Sequence, residues 1–212
     1  MSLRIFEIFH SLQGESSRVG LPTVFVRLTG CPLRCGYCDT EYAFHGGTTQ
    51  SFGEILATVA SYQAQYVCVT GGEPLAQKGC HELLKRLCDA GYKVSIETSG
   101  AMDISQVDQR ISVIMDIKTP GSGEASKNLW RNIAHLSQKD EVKFVLLDRA
   151  DYDWAKQILE QYNLTSICPV LFSPVYKTLA PAELAEWVLA EHLQVRMQVQ
   201  LHKILWGEKA GV

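Results

Sequence analysis

Three cysteines, Cys31, Cys35 and Cys38, are spaced C-x3-C-x2-C within Gly30-Cys31-Pro32-Leu33-Arg34-Cys35-Gly36-Tyr37-Cys38. Glycine and proline in this loop let three thiolates converge, and thiolates select zinc or iron–sulfur chemistry. A structural zinc ion or an ordinary [4Fe–4S] carrier takes four protein ligands. No fourth cysteine or histidine follows at a usual spacing; His45 is the nearest candidate. A cubane on three thiolates leaves one iron open to a ligand that is not protein. The other four cysteines, Cys68, Cys80, Cys88 and Cys168, lie in apolar segments and read as small buried hydrophobes. The odd total of seven argues against a secreted disulfide framework.

Two further groups carry chemistry. Gly71-Gly72-Glu73-Pro74 follows an apolar run, and paired glycines let backbone carbonyls approach an ammonium group. Gln13-Gly14-Glu15 offers acceptors around a glycine, and Arg27 suits bidentate capture of a carboxylate. Taken alone, the first two side chains also fit an exposed polar turn, and Arg27 a rim ion pair.

These residues need a scaffold. Apolar, β-branched runs predict strands at 5–9, 23–28, 66–70, 93–97, 112–117, 142–147, 167–172 and 195–201. A capping box at residues 51–54 opens a helix to about Tyr62. Further helices are predicted from Cys80 to Ala90, from after Asp151 through Gln161, from Pro181 to near Glu191, and more weakly from Ser126 to Leu136. Strands alternating with helices indicate βαβ units and a mostly parallel sheet. A complete eight-fold barrel takes about 250 residues, and this chain has 212. The expectation is therefore one domain over 1–212, an incomplete barrel or a curved open sheet, with its chemistry at the carboxyl ends of the strands.

Composition excludes other classes. Hydrophobic residues make up 46% of the chain, net charge is −3, and no block of lysine and arginine marks a nucleic-acid surface. No apolar run approaches a membrane span and the start lacks a signal-peptide core, so a cytoplasmic protein is expected.

The cysteine loop, with the aromatic Tyr37 before its last cysteine, resembles the radical S-adenosylmethionine (SAM) signature, and residues 71–74 resemble that superfamily's motif for the methionine amine. Other segments are similar to the 7-carboxy-7-deazaguanine synthase family: Ser11-Leu12-Gln13-Gly14-Glu15, Phe25-Val26-Arg27, Cys38-Asp39-Thr40, Glu97-Thr98-Ser99-Gly100, Lys118, Glu141-Val142-Lys143, Ser173-Pro174 and Gln200-Leu201-His202-Lys203. The resemblance implies a distorted, shortened barrel that converts 6-carboxy-5,6,7,8-tetrahydropterin to 7-carboxy-7-deazaguanine with loss of ammonia, in queuosine biosynthesis. It implies a [4Fe–4S] cluster on Cys31, Cys35 and Cys38. A radical formed from SAM takes a substrate hydrogen and SAM is regenerated. Magnesium, a homodimer and an external, flavodoxin-like electron donor are implied as well.

The same resemblance distributes roles. Tyr37, Cys38, Asp39, Gly72, Lys118, Ser173, Pro174, Val175 and Tyr176 map onto SAM contacts; only the lysine of Asp116-Ile117-Lys118 carries over from the family's Ser-Pro-Lys. Leu12, Gln13, Gly14, Glu15, Arg27 and Thr70 map onto substrate contacts, and Thr40 onto the magnesium ligand. His202, near the end of the last strand, either lines the pocket or is structural. In some family members the terminal carboxylate reaches the substrate. Here residues 207–212 follow Trp206; their glycines favour mobility, and the expectation is that this tail stays off the pocket, with a backbone group or Glu208 serving instead of Val212. Two rivals are an activase for glycyl-radical enzymes and a non-enzymatic iron–sulfur or zinc protein. The Gln13-Gly14-Glu15 and Arg27 set disfavours the first, and residues 71–74 disfavour the second.

Overall fold

The computed structural model describes residues 1–212. Its strands are β1 (Ser2–Leu12), β2 (Pro22–Leu28), β3 (Thr48–Ser51), β4 (Tyr66–Gly71), β5 (Lys93–Thr98), β6 (Ser112–Asp116), β7 (Glu141–Leu146), β8 (Val170–Pro174) and β9 (Arg196–Met197). Period-two alternation gives the sheet two different faces. Val24, Val26, Val67, Val69, Val94, Ile96, Val113, Met115, Val142 and Phe144 enter one contiguous core. The residues between them, Phe25, Arg27, Thr70, Glu97, Ile114, Asp116, Lys143 and Val145, line a cavity on the opposite face.

The helices are α1 (Phe52–Ser61), α2 (Cys80–Asp89), α3 (Arg149–Tyr162), α4 (Leu164–Ile167), α5 (Pro181–Ala190) and α6 (Leu201–Trp206); the first five cover the core face, and α6 buries no residue there. Ile55, Val59, Leu83, Leu84, Leu87, Tyr152, Ala155 and Leu184 are the helical half of the same core. The predicted capping box is formed: Ser51 Oγ accepts from Glu54 N at 3.3 Å, and Glu54 Oε2 accepts from Ser51 N at 2.7 Å.

Strand order is β3-β1-β2-β4-β5-β6-β7-β8-β9. β1 runs antiparallel to β2 and β3, and every later pair is parallel. The two edge strands do not pair, so the sheet is an incomplete, distorted β/α barrel.

Five differences from the sequence reading have an identifiable physical reason. Residues 126–136 form 3-10 turns instead of a helix, because Asn128 is extended and its side chain exchanges hydrogen bonds with the Lys118 backbone at 2.9 and 2.8 Å. α3 is capped by Asp148, whereas Asp151 turns inward. β8 starts three residues late, since the left-handed Asn163 opens the short α4 first. β9 stops after Met197, where Gln198 turns its amide to Ser16 and α6 begins soon after. β3, all polar, has no apolar pattern to find.

The connection 13–21 between β1 and β2 closes the amino-terminal end of the barrel. Arg18 donates to Lys93 O at 3.1 Å and Ser112 Oγ at 3.0 Å, and Ser17 N donates to Glu141 Oε2 at 2.9 Å. These partners begin β5, β6 and β7. The cysteine loop, which follows β2, lies at the other end.

Candidate active site

The barrel encloses a cavity of about 580 Å³. One end carries Cys31, Cys35, Tyr37, Cys38, Asp39, Thr40, Gly72, Lys118, Val175 and Tyr176; the closed end carries Leu12, Gln13, Gly14 and Glu15, with Arg27 and Thr70 between. Of the residues singled out from sequence, Ser173 and Pro174 do not line it. They are buried in β8, and Ser173 Oγ has no hydrogen-bond partner.

The three cysteines are free and half-buried. Desolvation pushes each thiol above its ordinary range, while nearby Lys118 opposes it. Such thiols stay protonated until a cation binds. Three soft donors spread around a cavity wall fit a cluster. Gly72 makes the approach of β4 possible: a Cβ there would lie 2.6 Å from Cys31 Cβ, and Glu73 N donates to Gly30 O at 2.9 Å.

Below the cysteines lies a band of charge. Lys143 Nζ is 2.5 Å from Glu15 Oε2 and 3.9 Å from Asp116 Oδ2, which in turn is 2.8 Å from Lys118 Nζ. Burial alone would lower Lys143, but Glu15, Asp116 and Glu97 hold its pKa well above the ordinary lysine value. Burial would raise Glu15, but Lys143 outweighs it and holds the carboxyl below its usual range. Glu97 accepts from Gln13 Nε2 and Thr70 Oγ1, both at 3.2 Å, and has no ion-pair partner.

Arg27 is oriented from behind. A bulge between Ile5 and Glu7 puts Glu7 opposite Arg27 in the β1–β2 ladder, where Arg27 Nε donates to Glu7 Oε1 at 2.8 Å. Tyr42 OH donates to the same oxygen at 3.3 Å. The terminal nitrogens of the guanidinium, which make no other hydrogen bond, remain for the cavity.

The segment read as a strand end is a helix packed on the closed end. Leu201 N donates to Gly14 O at 3.0 Å, and a Cβ on Gly14 would run into the His202 ring. Gln200 Nε2 donates to Glu15 Oε1 at 2.7 Å. His202 is pushed down chiefly by burial.

The tail corrects another expectation. Gly207 has φ of 65° and reverses the chain after α6, so residues 208–212 lie along the cavity mouth, with Glu208 3.2 Å from Lys177. The glycine read as a source of mobility supplies the turn.

Sequence reasoning gave no role to Lys143, Glu97, Asp116, Glu7 or Gln200. The signal for the first three was present: a charged residue within or closing an apolar run, in period-two step with its non-core positions.

The Radical SAM superfamily profile matches residues 25–117. The chain is 44% identical to the 7-carboxy-7-deazaguanine synthase of Chlorobaculum tepidum over 98% of this chain and 96% of that one. It is 43% identical to the synthase of the same name from Koribacter versatilis, covering 99% and 100%. The solved structure of QueE from Escherichia coli superposes with a TM-score of 0.78 at 23% identity, over 95% of each chain, a likeness of fold. With relatives this similar along nearly its full length, the chain belongs to the 7-carboxy-7-deazaguanine synthase family of the radical SAM superfamily.

Proposed function

We propose that this chain converts 6-carboxy-5,6,7,8-tetrahydropterin to 7-carboxy-7-deazaguanine with release of ammonia, in queuosine biosynthesis. The observation that carries the reading is one cavity with a soft three-thiol end and a polar, charged end. Superfamily membership implies a [4Fe–4S] cluster and SAM, which together supply the hydrogen-abstracting radical. Cys31, Cys35 and Cys38 would hold the cluster, and Tyr37, Asp39, Gly72, Lys118, Val175 and Tyr176 would contact SAM; Ser173 and Pro174 could do so only through backbone.

The chain's own residues bind and orient the substrate. Gln13, Glu15 and Glu97 present acceptors to the amine and amide edge of a pterin, with Gly14 backbone and Thr70 beside them. Arg27 grips the carboxylate through its free nitrogens. Leu12 and Phe25 supply apolar wall. Thr40, whose hydroxyl donates to Asp39 Oδ1 at 2.8 Å, would offer its lone pair to magnesium, with substrate oxygens and water completing the shell.

Also proposed are action as one unit over residues 1–212, a homodimer, reduction by an external flavodoxin-like protein, and a cytoplasmic setting. No helix is long and apolar enough to cross a membrane. No nucleic-acid surface is involved in this reaction.

Anaerobic incubation of the iron-reconstituted protein with SAM, magnesium, dithionite and the carboxytetrahydropterin tests the reading. Formation of 7-carboxy-7-deazaguanine supports it, and SAM cleavage without this product refutes it.

Arg27→Lys keeps charge but loses the fork. Two charge-assisted hydrogen bonds reduced to one predict a rise of roughly 10²-fold in substrate KM, with SAM binding unchanged. An unchanged KM would show that the carboxylate binds elsewhere.

Thr40→Ala should weaken the response to magnesium while SAM affinity holds. Titrating activity with magnesium at saturating SAM reads this directly; full activity with an unaltered magnesium curve excludes Thr40 as the ligand.

A further inference from the structure

We infer that Asp151, acting through residues 119–124, is a positioning residue that fixes the Cys35 and Cys38 half of the cysteine loop. The Asp151 carboxylate is 1% exposed and pairs with no cation. It is satisfied by three donors from two strand-end loops. Thr119 Oγ1 donates to Oδ2 at 2.8 Å, Leu147 N to Oδ2 at 3.0 Å and Gly121 N to Oδ1 at 2.8 Å. A Cβ on Gly121 would lie 2.5 Å from Oδ2, so the turn is drawn tightly onto the carboxylate.

The anchored segment grips the cysteine loop at three places. Arg34 N donates to Glu124 Oε1 at 2.7 Å, and Gly36 N donates to Ser122 O at 3.0 Å. Tyr37 OH donates to Val145 O at 3.0 Å and lies 3.3 Å from Thr119 Oγ1. The hydroxyl proton of Thr119 is committed to Asp151, so its oxygen can only accept, and the single Tyr37 proton is shared between Val145 O and Thr119 Oγ1. The Cys31 half of the loop is held from within, by Arg34 Nη1 donating to Cys31 O at 2.8 Å and Leu33 O at 2.7 Å, whereas the Cys35–Cys38 half has the single internal bond from Cys38 N to Cys35 O at 3.2 Å. The shape of that second half is therefore imposed from outside, by a segment whose own shape depends on one buried carboxylate. A buried carboxylate so satisfied tolerates little displacement, because moving it strands its donors. Ligand loops need that tolerance, since metal geometry fails with displacements of a fraction of an ångström.

The inference rests on the reading of the cysteine loop as a cluster site, and two separate measurements keep the two apart. Hydrogen exchange on the full chain without iron reads the loop alone. In Thr119→Val and Asp151→Asn, the Arg34 and Gly36 amides should exchange about tenfold faster than in the parent, the factor for one lost hydrogen bond of ordinary net strength. Thr119→Ser, which keeps the hydroxyl, should match the parent. After reconstitution, the first two variants should lose iron to a chelator about tenfold faster and show an altered electron paramagnetic resonance line shape on reduction.

Unchanged exchange at Arg34 and Gly36 overturns the inference, as does a serine variant as loose as the valine one. A looser loop with parental iron retention and spectrum overturns the link to the cluster. If Asp151→Asn fails to fold, the Thr119 pair decides. Failure of the parent to take up iron would sink the cluster reading, and the exchange result would still decide the anchoring.

Discussion

Lys143→Met should destabilise the protein by about 3–5 kcal/mol at neutral pH, because removing one member of a buried ion pair leaves the other charge uncompensated. Glu15 would then face Asp39 with its countercharge gone. For a chain of this size the melting temperature should fall by roughly 6–20 °C. The pH dependence gives the sharper signature. Glu15 is depressed in the folded parent, so its contribution is present above the unfolded carboxyl pKa and lost as pH falls through the folded value. Lys143 is raised, so its contribution is present below the unfolded lysine pKa and lost in alkali. In Lys143→Met the carboxyl is desolvated without a partner and its pKa moves above the unfolded value. Acidification then relieves the variant while it weakens the parent, and the gap between their melting temperatures narrows. Adding Glu15→Gln to Lys143→Met should recover much of the loss. A gap that stays constant from neutral to acid pH would show that the pair is not what holds these two side chains.

The charge band explains how a cavity walled by an apolar barrel holds a polar ligand. Each strand alternates, so the residue next to a core position faces the cavity; where that residue is Arg27, Glu97, Asp116 or Lys143, the interior acquires charge without disturbing the core. The closed end works differently. Glu15 and Gln13 follow the carboxyl end of β1, but β1 runs antiparallel, so their connection plugs the barrel at the amino ends of the parallel strands. The general expectation for such folds accounts for the cysteine loop, Gly72 and Lys118, and fails for this half.

What was legible in the sequence divides along the same line. The cysteine spacing and the paired glycines are local, and so is the capping box of α1; short-range geometry is enough to read them. Arg27 stood out as a charge in an apolar strand. Lys143 and Glu97 carried the same mark, but assigning them to the cavity needs the face of each strand, which depends on where the helices pack. The remaining failures involve distant partners. Residues 126–136 lose their helix to an asparagine that bonds Lys118, and the last predicted strand is cut short by a glutamine that bonds Ser16. Helical propensity and apolar spacing contain no information about either partner. The tail was misread because glycine permits both mobility and reversal, and only the surroundings of Gly207 choose between them.

Glu73 illustrates the division within one motif and carries the last prediction. The sequence drew attention to its glycine neighbours, yet the Glu73 side chain is fully buried and stitches the ends of β4 and β5 together. It accepts from Leu75 N at 2.9 Å, Thr98 Oγ1 at 2.9 Å, Ser99 N at 2.7 Å and Ser99 Oγ at 2.5 Å. No cation pairs with it, so these donors alone satisfy its oxygens. Glu73→Ala would leave two backbone amides buried without partners, at about 1–3 kcal/mol each, besides opening a cavity. The expected loss is therefore at least about 3 kcal/mol, read as a drop in the urea midpoint at unchanged slope. Glu73→Gln retains one acceptor oxygen, and the Thr98 and Ser99 hydroxyls can rotate to accept from its amide, so it should lose less than the alanine variant. Because Glu73 N also holds Gly30 O, loosening this stitch should reach Gly72 and the cysteine loop. SAM affinity should thus fall in the same order, alanine more than glutamine. If both variants kept the parental midpoint, the carboxylate would not be holding the two strand ends together; a lowered midpoint with unchanged SAM affinity would confine its role to stability.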